Sequence, residues 1–148
     1  MPSRNLAALW IRGAFHEAGT FDPSNPNNPG GIDGSLGAST SHPANEGLFN
    51  STAELFVSRG NAALPSPIQT QVSKADMRII GALAGIKHCG GPDIAFRGGR
   101  LDILTPIVSN YGRLPGPQEA YESVKAKFLR MGLTPKDMAV LGMSDDLY

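Results

Sequence analysis

Residues 4–19 read Arg-Asn-Leu-Ala-Ala-Leu-Trp-Ile-Arg-Gly-Ala-Phe-His-Glu-Ala-Gly. Leu6, Leu9, Trp10, Ala14 and Phe15 recur at helical spacing and Gly19 is a helix terminator, so the stretch predicts a helix over 4–18. Arg12 and His16 stand four apart in it, which puts them on one face, one turn from each other. A neutral imidazole takes and returns a proton, and an always-charged guanidinium stabilises developing negative charge. Taken alone, an Arg and a His at this spacing also suit an ordinary solvated helix face.

Outward from this helix, residues 20–47 carry Pro23, Pro26, Pro29, Gly30, Gly31 and Gly34 with several Asn and Ser, and read as a long ordered loop. A short amphipathic helix is expected over 48–59, from Leu48, Phe49, Leu55 and Phe56. Residues 73–86 form a stronger helix. Ser73 and Asp76 make a capping-box-like start, and Met77, Ile79, Ile80, Leu83 and Ala84 give an apolar surface nearly all round, which predicts burial. The stretch from His88 to Pro117 is broken by glycines and prolines and reads as loop. A further amphipathic helix is expected over 117–131, closed by Gly132. Thr134-Pro135-Lys136-Asp137 then starts another, with an N-cap, a proline at the first helical position and an acid in the first turn. No segment alternates long enough to predict a strand, and there is no internal repeat. The expected fold is all-α with long ordered loops, in one domain over residues 1–148.

The totals agree. A chain of 148 residues can bury a core as a single domain. Thirteen basic residues balance thirteen acidic ones, so nothing in the charge favours nucleic acid or an anionic membrane surface as partner. Gly (18) and Pro (12) together exceed their usual share of roughly 12%, in keeping with shaped loops. Cys89 stands alone, so no internal disulfide forms. No apolar run of about 18 residues could span a membrane, and the N-terminus lacks a signal-peptide cleavage pattern. The abrupt entry into the first helix leads one to expect missing upstream sequence.

Other residues carry the resemblance. His16 is followed by Glu17-Ala18-Gly19-Thr20-Phe21 and then Gly30-Gly31-Ile32-Asp33-Gly34-Ser35. Further on come His42-Pro43-Ala44-Asn45-Glu46-Gly47-Leu48, Lys74-Ala75-Asp76, Cys89-Gly90-Gly91-Pro92, Gly98-Gly99-Arg100-Leu101-Asp102 and Arg113-Leu114-Pro115-Gly116-Pro117. In this order the chain resembles the plant-type haem peroxidase superfamily of fungi, plants and bacteria. It resembles the N-terminal, distal half only, so the fold expected is a partial haem-peroxidase domain.

The resemblance implies haem b as cofactor, with hydrogen peroxide and a small-molecule reductant, often phenolic, as partners. It implies His16 as acid–base catalyst, Arg12 as the group that polarises the O–O bond, and Asn45 as acceptor of the other ring N–H of His16. Asn45 also reads as a turn residue. Phe15 would wall the haem pocket, or simply pack in the core, and Pro115 would lie at the haem edge. A calcium site is implied at Glu17, Gly31, Asp33 and Ser35, which offer hard oxygen donors. The same residues read equally as a glycine turn with solvated acids, and secreted members carry Asp at the Glu17 position.

Where the family's Leu-Ser-Gly-x-His segment supplies the proximal iron ligand, this chain has Leu141-Gly142-Met143-Ser144-Asp145. No proximal haem ligand is therefore expected, and the tail reads as artificial. Three readings follow. One is a haem peroxidase. A second is a truncated, non-catalytic remnant. A third is an oxygen-ligand calcium module. The compartment is left open, since the family is both secreted and organellar.

Overall fold

A computed structural model of the chain describes residues 6–39, 42–48, 57 and 60–142. All regular structure among them is helical. The α-helices are α1 (Leu6–Ala18), α2 (Ser66–Gln69), α3 (Lys74–His88), α4 (Tyr121–Arg130) and α5 (Pro135–Gly142), and 3-10 turns lie at Ser35–Ser39, Pro43–Asn45 and Val108–Arg113. Most of the helix expected over 48–59 lies outside the described residues. The single-turn α2 was not expected. Among the described residues no helix is long and apolar enough to cross a membrane.

α1 ends where its sequence says it should, with the Gly19 N–H donating to the Phe15 carbonyl at 2.7 Å. The carbonyls just past its end attract cations from far along the chain. Arg130 Nη2 donates to the Gly19 carbonyl at 2.7 Å, and Arg113 Nη1 donates to the Thr20 carbonyl at 2.9 Å. α4 and the Val108–Arg113 turn therefore hold the end of α1.

α1 packs on α3 more extensively than on any other element. The approach is close because α3 presents glycines there. A Cβ at Gly81 would come within 2.3 Å of the Trp10 ring, and one at Gly85 within 3.0 Å of the Ala7 backbone. Beneath the two helices, Leu36, Leu48, Tyr111 and Leu114 form a buried apolar cluster joined by Leu9 and Ala44.

The start of α3 is fixed twice. The Ser73 hydroxyl accepts the Asp76 N–H at 3.0 Å, as the sequence predicts, but Asp76 does not return the bond. Its carboxylate instead accepts from the Gly99 N–H at 2.6 Å and from Arg100 Nη1 at 2.8 Å. Asp102 accepts the exposed first N–H groups of α3, from Lys74 and Ala75, both at 2.9 Å. The Gly98–Asp102 stretch thus works as a clamp on the N-terminus of α3. At α5 the capping box is complete: Asp137 accepts the Thr134 N–H at 2.8 Å, and the Thr134 hydroxyl accepts the Asp137 N–H at 3.3 Å.

The expectation that α3 is buried all round is corrected. Ala75, Asp76, Met77, Arg78, Ala82 and Gly85 are buried, whereas Ile80 and Leu83 are half-buried and Ala84 is exposed. That outer face, with Pro92, Ile94 and Phe96, lines an open groove of about 260 Å³. Its apolar residues face no covering element among the described residues.

Candidate active site on the first helix

His16 is buried in the last turn of α1. Its Nδ1 lies 2.9 Å from Asn45 Oδ1, a buried contact between α1 and the Pro43–Asn45 turn. An amide oxygen only accepts, so Nδ1 carries the proton of the neutral ring and Nε2 keeps its lone pair. Burial lowers the His16 pKa from 6.5 to about 4. The Asn45 bond pulls it upward and the Arg12 charge pushes it down. The ring is therefore neutral at physiological pH.

Arg12 is tied to the same turn. Its Nη1 donates to the Glu46 carbonyl at 2.8 Å, and its Nη2 lies 3.5 Å from the Ala44 carbonyl, a long contact. The carbonyls of the two residues flanking Asn45 thus orient the guanidinium while the Asn45 side chain orients the imidazole. The tripeptide Ala44–Asn45–Glu46 is a common template for both candidate catalytic groups. His42 supports it by accepting the Ala44 N–H at Nδ1, 3.2 Å away, and by packing on the buried Tyr111 ring.

Phe15 meets the His16 ring edge-on at a centroid distance of 6.3 Å and packs against the buried Phe128 at 6.2 Å. Both readings of Phe15 are compatible with that placement. Pro115 is half-buried just past the Val108–Arg113 turn, next to the buried Leu114.

The structure brings Glu17, Gly31, Asp33 and Ser35 into one neighbourhood and engages the Glu17 carboxylate and the Ser35 hydroxyl within the protein. Glu17 is wholly buried. Its Oε1 accepts the Leu36 N–H at 3.0 Å and lies 3.1 Å from Arg78 Nε, and its Oε2 accepts the Gly34 N–H at 3.3 Å. The Arg78 contact has the distance of an ion pair without the alignment of a hydrogen bond. Burial pushes the Glu17 carboxyl up, and the Arg78 charge opposes that shift.

Of the other oxygens, the Gly31 carbonyl lies 3.5 Å from the Thr20 hydroxyl, a long contact. The Glu17 carbonyl accepts the Thr20 hydroxyl at 2.7 Å, and that hydroxyl in turn accepts the Gly31 N–H at 2.8 Å. Asp33 Oδ1 accepts the Ser35 N–H at 3.1 Å, and the Ser35 hydroxyl pairs with the Tyr111 hydroxyl at 3.1 Å. A divalent cation here would face a buried guanidinium at its principal carboxylate. The expectation of a calcium site at these residues finds no support here. Arg78, the buried partner of Glu17, is the residue of this neighbourhood that sequence reasoning missed. Its one signal was a charge set among the apolar residues of α3.

Comparison with known proteins agrees with the geometry. The family model described as Peroxidase matches residues 2–144. The chain is 33% identical over 141 residues to L-ascorbate peroxidase 5, peroxisomal, of Arabidopsis thaliana, covering 94% of this chain and 46% of that protein. It is 31% identical to L-ascorbate peroxidase 3 of the same plant, covering 94% and 45%. It is 30% identical to a WSC domain-containing protein of Arthroderma benhamiae, covering 93% of this chain and 18% of that one. The chain therefore spans less than half the length of the curated relatives it matches. With the match running through α1, the Pro43–Asn45 turn, α3 and α5 alike, the chain belongs to the haem peroxidase family.

Proposed function

We propose that this chain supplies the distal, peroxide-handling half of a haem peroxidase site, with His16 as acid–base catalyst and Arg12 as its charged partner. The observation that carries the reading is the His16–Asn45 contact, because it leaves a buried, neutral imidazole with one nitrogen held and the other basic.

Haem, when bound, supplies the iron centre at which peroxide is reduced and the donor oxidised. The residues here suit one face of that group: a neutral imidazole, a guanidinium on the same helix face, and Phe15 beside them. His42 is engaged at Nδ1 by its own turn, and His88 closes α3 on the surface. Neither stands in the segment where the resemblance implies an iron ligand, so they would not be the residues that hold haem.

In this reading His16 Nε2 takes a proton from hydrogen peroxide and returns it to the departing oxygen, so that water leaves in place of hydroxide. Arg12 offsets the negative charge that develops as the O–O bond lengthens. Asn45 keeps the imidazole in the tautomer that can start the cycle, and its bond favours the protonated ring midway through it. The reductant is a small molecule. Ascorbate, named for several relatives, and phenols are the two classes to compare.

The test is a haem titration of the purified chain read by its Soret band, with peroxide turnover measured beside a His16→Ala control. Stoichiometric binding with turnover that depends on His16 supports the proposal. A free-haem spectrum with turnover indifferent to His16 leaves a remnant that keeps the distal residues without their function.

A further inference from the structure

Glu17 follows the catalytic histidine directly and is wholly buried, as is Arg78 on α3. A carboxylate in that position needs a cation, since an unpaired buried charge is strongly destabilising. In an oxygen-rich loop of this kind the cation is commonly a metal ion. Here the guanidinium of Arg78 reaches Glu17 Oε1 from the neighbouring helix. Gly13 of α1 lies opposite, where a Cβ would stand at ordinary contact distance, 3.6 Å, from Arg78 Nη1.

We infer that Arg78 is a built-in structural cation, which fixes Glu17, and through it the last turn of α1 and the 31–36 loop, without any divalent metal. The loop side of the pair is fully wired. The Gly34 and Leu36 N–H groups donate to the two carboxylate oxygens, and the Thr20 hydroxyl joins the Glu17 carbonyl to Gly31. One ion pair between α1 and α3 thus anchors the loop that leads on to the Asn45 turn. The inference concerns how the distal side is held together and stands apart from the catalytic reading.

The experiment is thermal unfolding of the full chain in excess chelator and in excess calcium chloride, with calorimetric titration of calcium alone. The same melts are run on Glu17→Gln, Arg78→Met and the double variant. The wild type is expected to melt at one temperature in both solutions and to give no binding heat. Each single substitution is expected to lower the melting temperature by stranding a buried group. The double variant is expected to melt above the lower of the two singles, because removing both charges is far cheaper than stranding one. A saturable rise in wild-type melting temperature with calcium would overturn the inference. Strictly additive losses in the two singles would overturn it equally, since they would mean that the charges are not paired. If the singles do not fold, the calcium response of the wild type decides the matter.

Discussion

Asn45 Oδ1 lies 2.9 Å from His16 Nδ1, joining the last turn of α1 to a three-residue 3-10 turn further along the chain. The geometry explains why the two residues act together. The asparagine presents an acceptor to one ring nitrogen and thereby decides which nitrogen is the base.

Removing that acceptor should cost activity more than fold. In Asn45→Ala the imidazole keeps its place on α1 but loses its fixed tautomer. The rate of reaction with peroxide should fall by about 10- to 100-fold, the usual cost of deleting a group that orients a catalytic histidine. Stopped-flow mixing of the haem-loaded protein with peroxide measures it. Stability should fall by about 1–3 kcal/mol, since a buried donor is left unpaired.

Arg12 should matter to the same step by a different route. If Arg12 has the role proposed, Arg12→Ala should slow the peroxide step by about 10²–10³-fold. Arg12→Lys should recover only part of that loss, because a single ammonium does not reproduce the fork that spans the Glu46 and Ala44 carbonyls. Haem uptake, followed separately, should be little changed in either variant.

Acid should destabilise the chain through His16. The folded pKa is about 4 against 6.5 for a free histidine, so between those values the unfolded state binds the extra proton. The contribution is complete above pH 6.5 and is lost as pH falls toward 4, a change on the order of 3 kcal/mol. Urea unfolding across this range should show it, and His16→Gln should flatten the dependence.

The clamp on α3 offers a structural control. Asp102→Ala should lower stability by about 1–2 kcal/mol, since two N–H groups at the helix start lose their acceptor. Gly34→Ala should be worse. Its φ is +75°, and the added Cβ would come within 2.5 Å of Asp102 Oδ1. Denaturant midpoints of the two variants against wild type decide the order.

How far the sequence could be read depended on whether a feature was local. The end of α1 at Gly19, the Ser73 cap and the Thr134–Asp137 box are written in neighbouring residues, and each stands where it was expected. The motif order brought His16 and Asn45 together before any coordinates did. What escaped were pairings made by packing. Asp76 reads as half of a capping box, yet its carboxylate serves Gly99 and Arg100. Glu17 reads as a metal ligand until Arg78 is seen against it, and nothing in the spacing of the two residues announces the ion pair. The apolar positions of α3 suggested burial on every side. They could not say that Ala84, Ile94 and Phe96 would lie uncovered among the described residues.

The most direct test of the account is a nitrogen-15 NMR titration of the His16 ring in the purified chain, assigned with His16→Gln. The account predicts one neutral tautomer, protonated at Nδ1, from pH 8 down to about 5, with protonation centred near pH 4. A ring protonated at Nε2, or one that titrates near 6.5 like a solvated histidine, would contradict it, for His16 would then be neither held by Asn45 nor poised as the base.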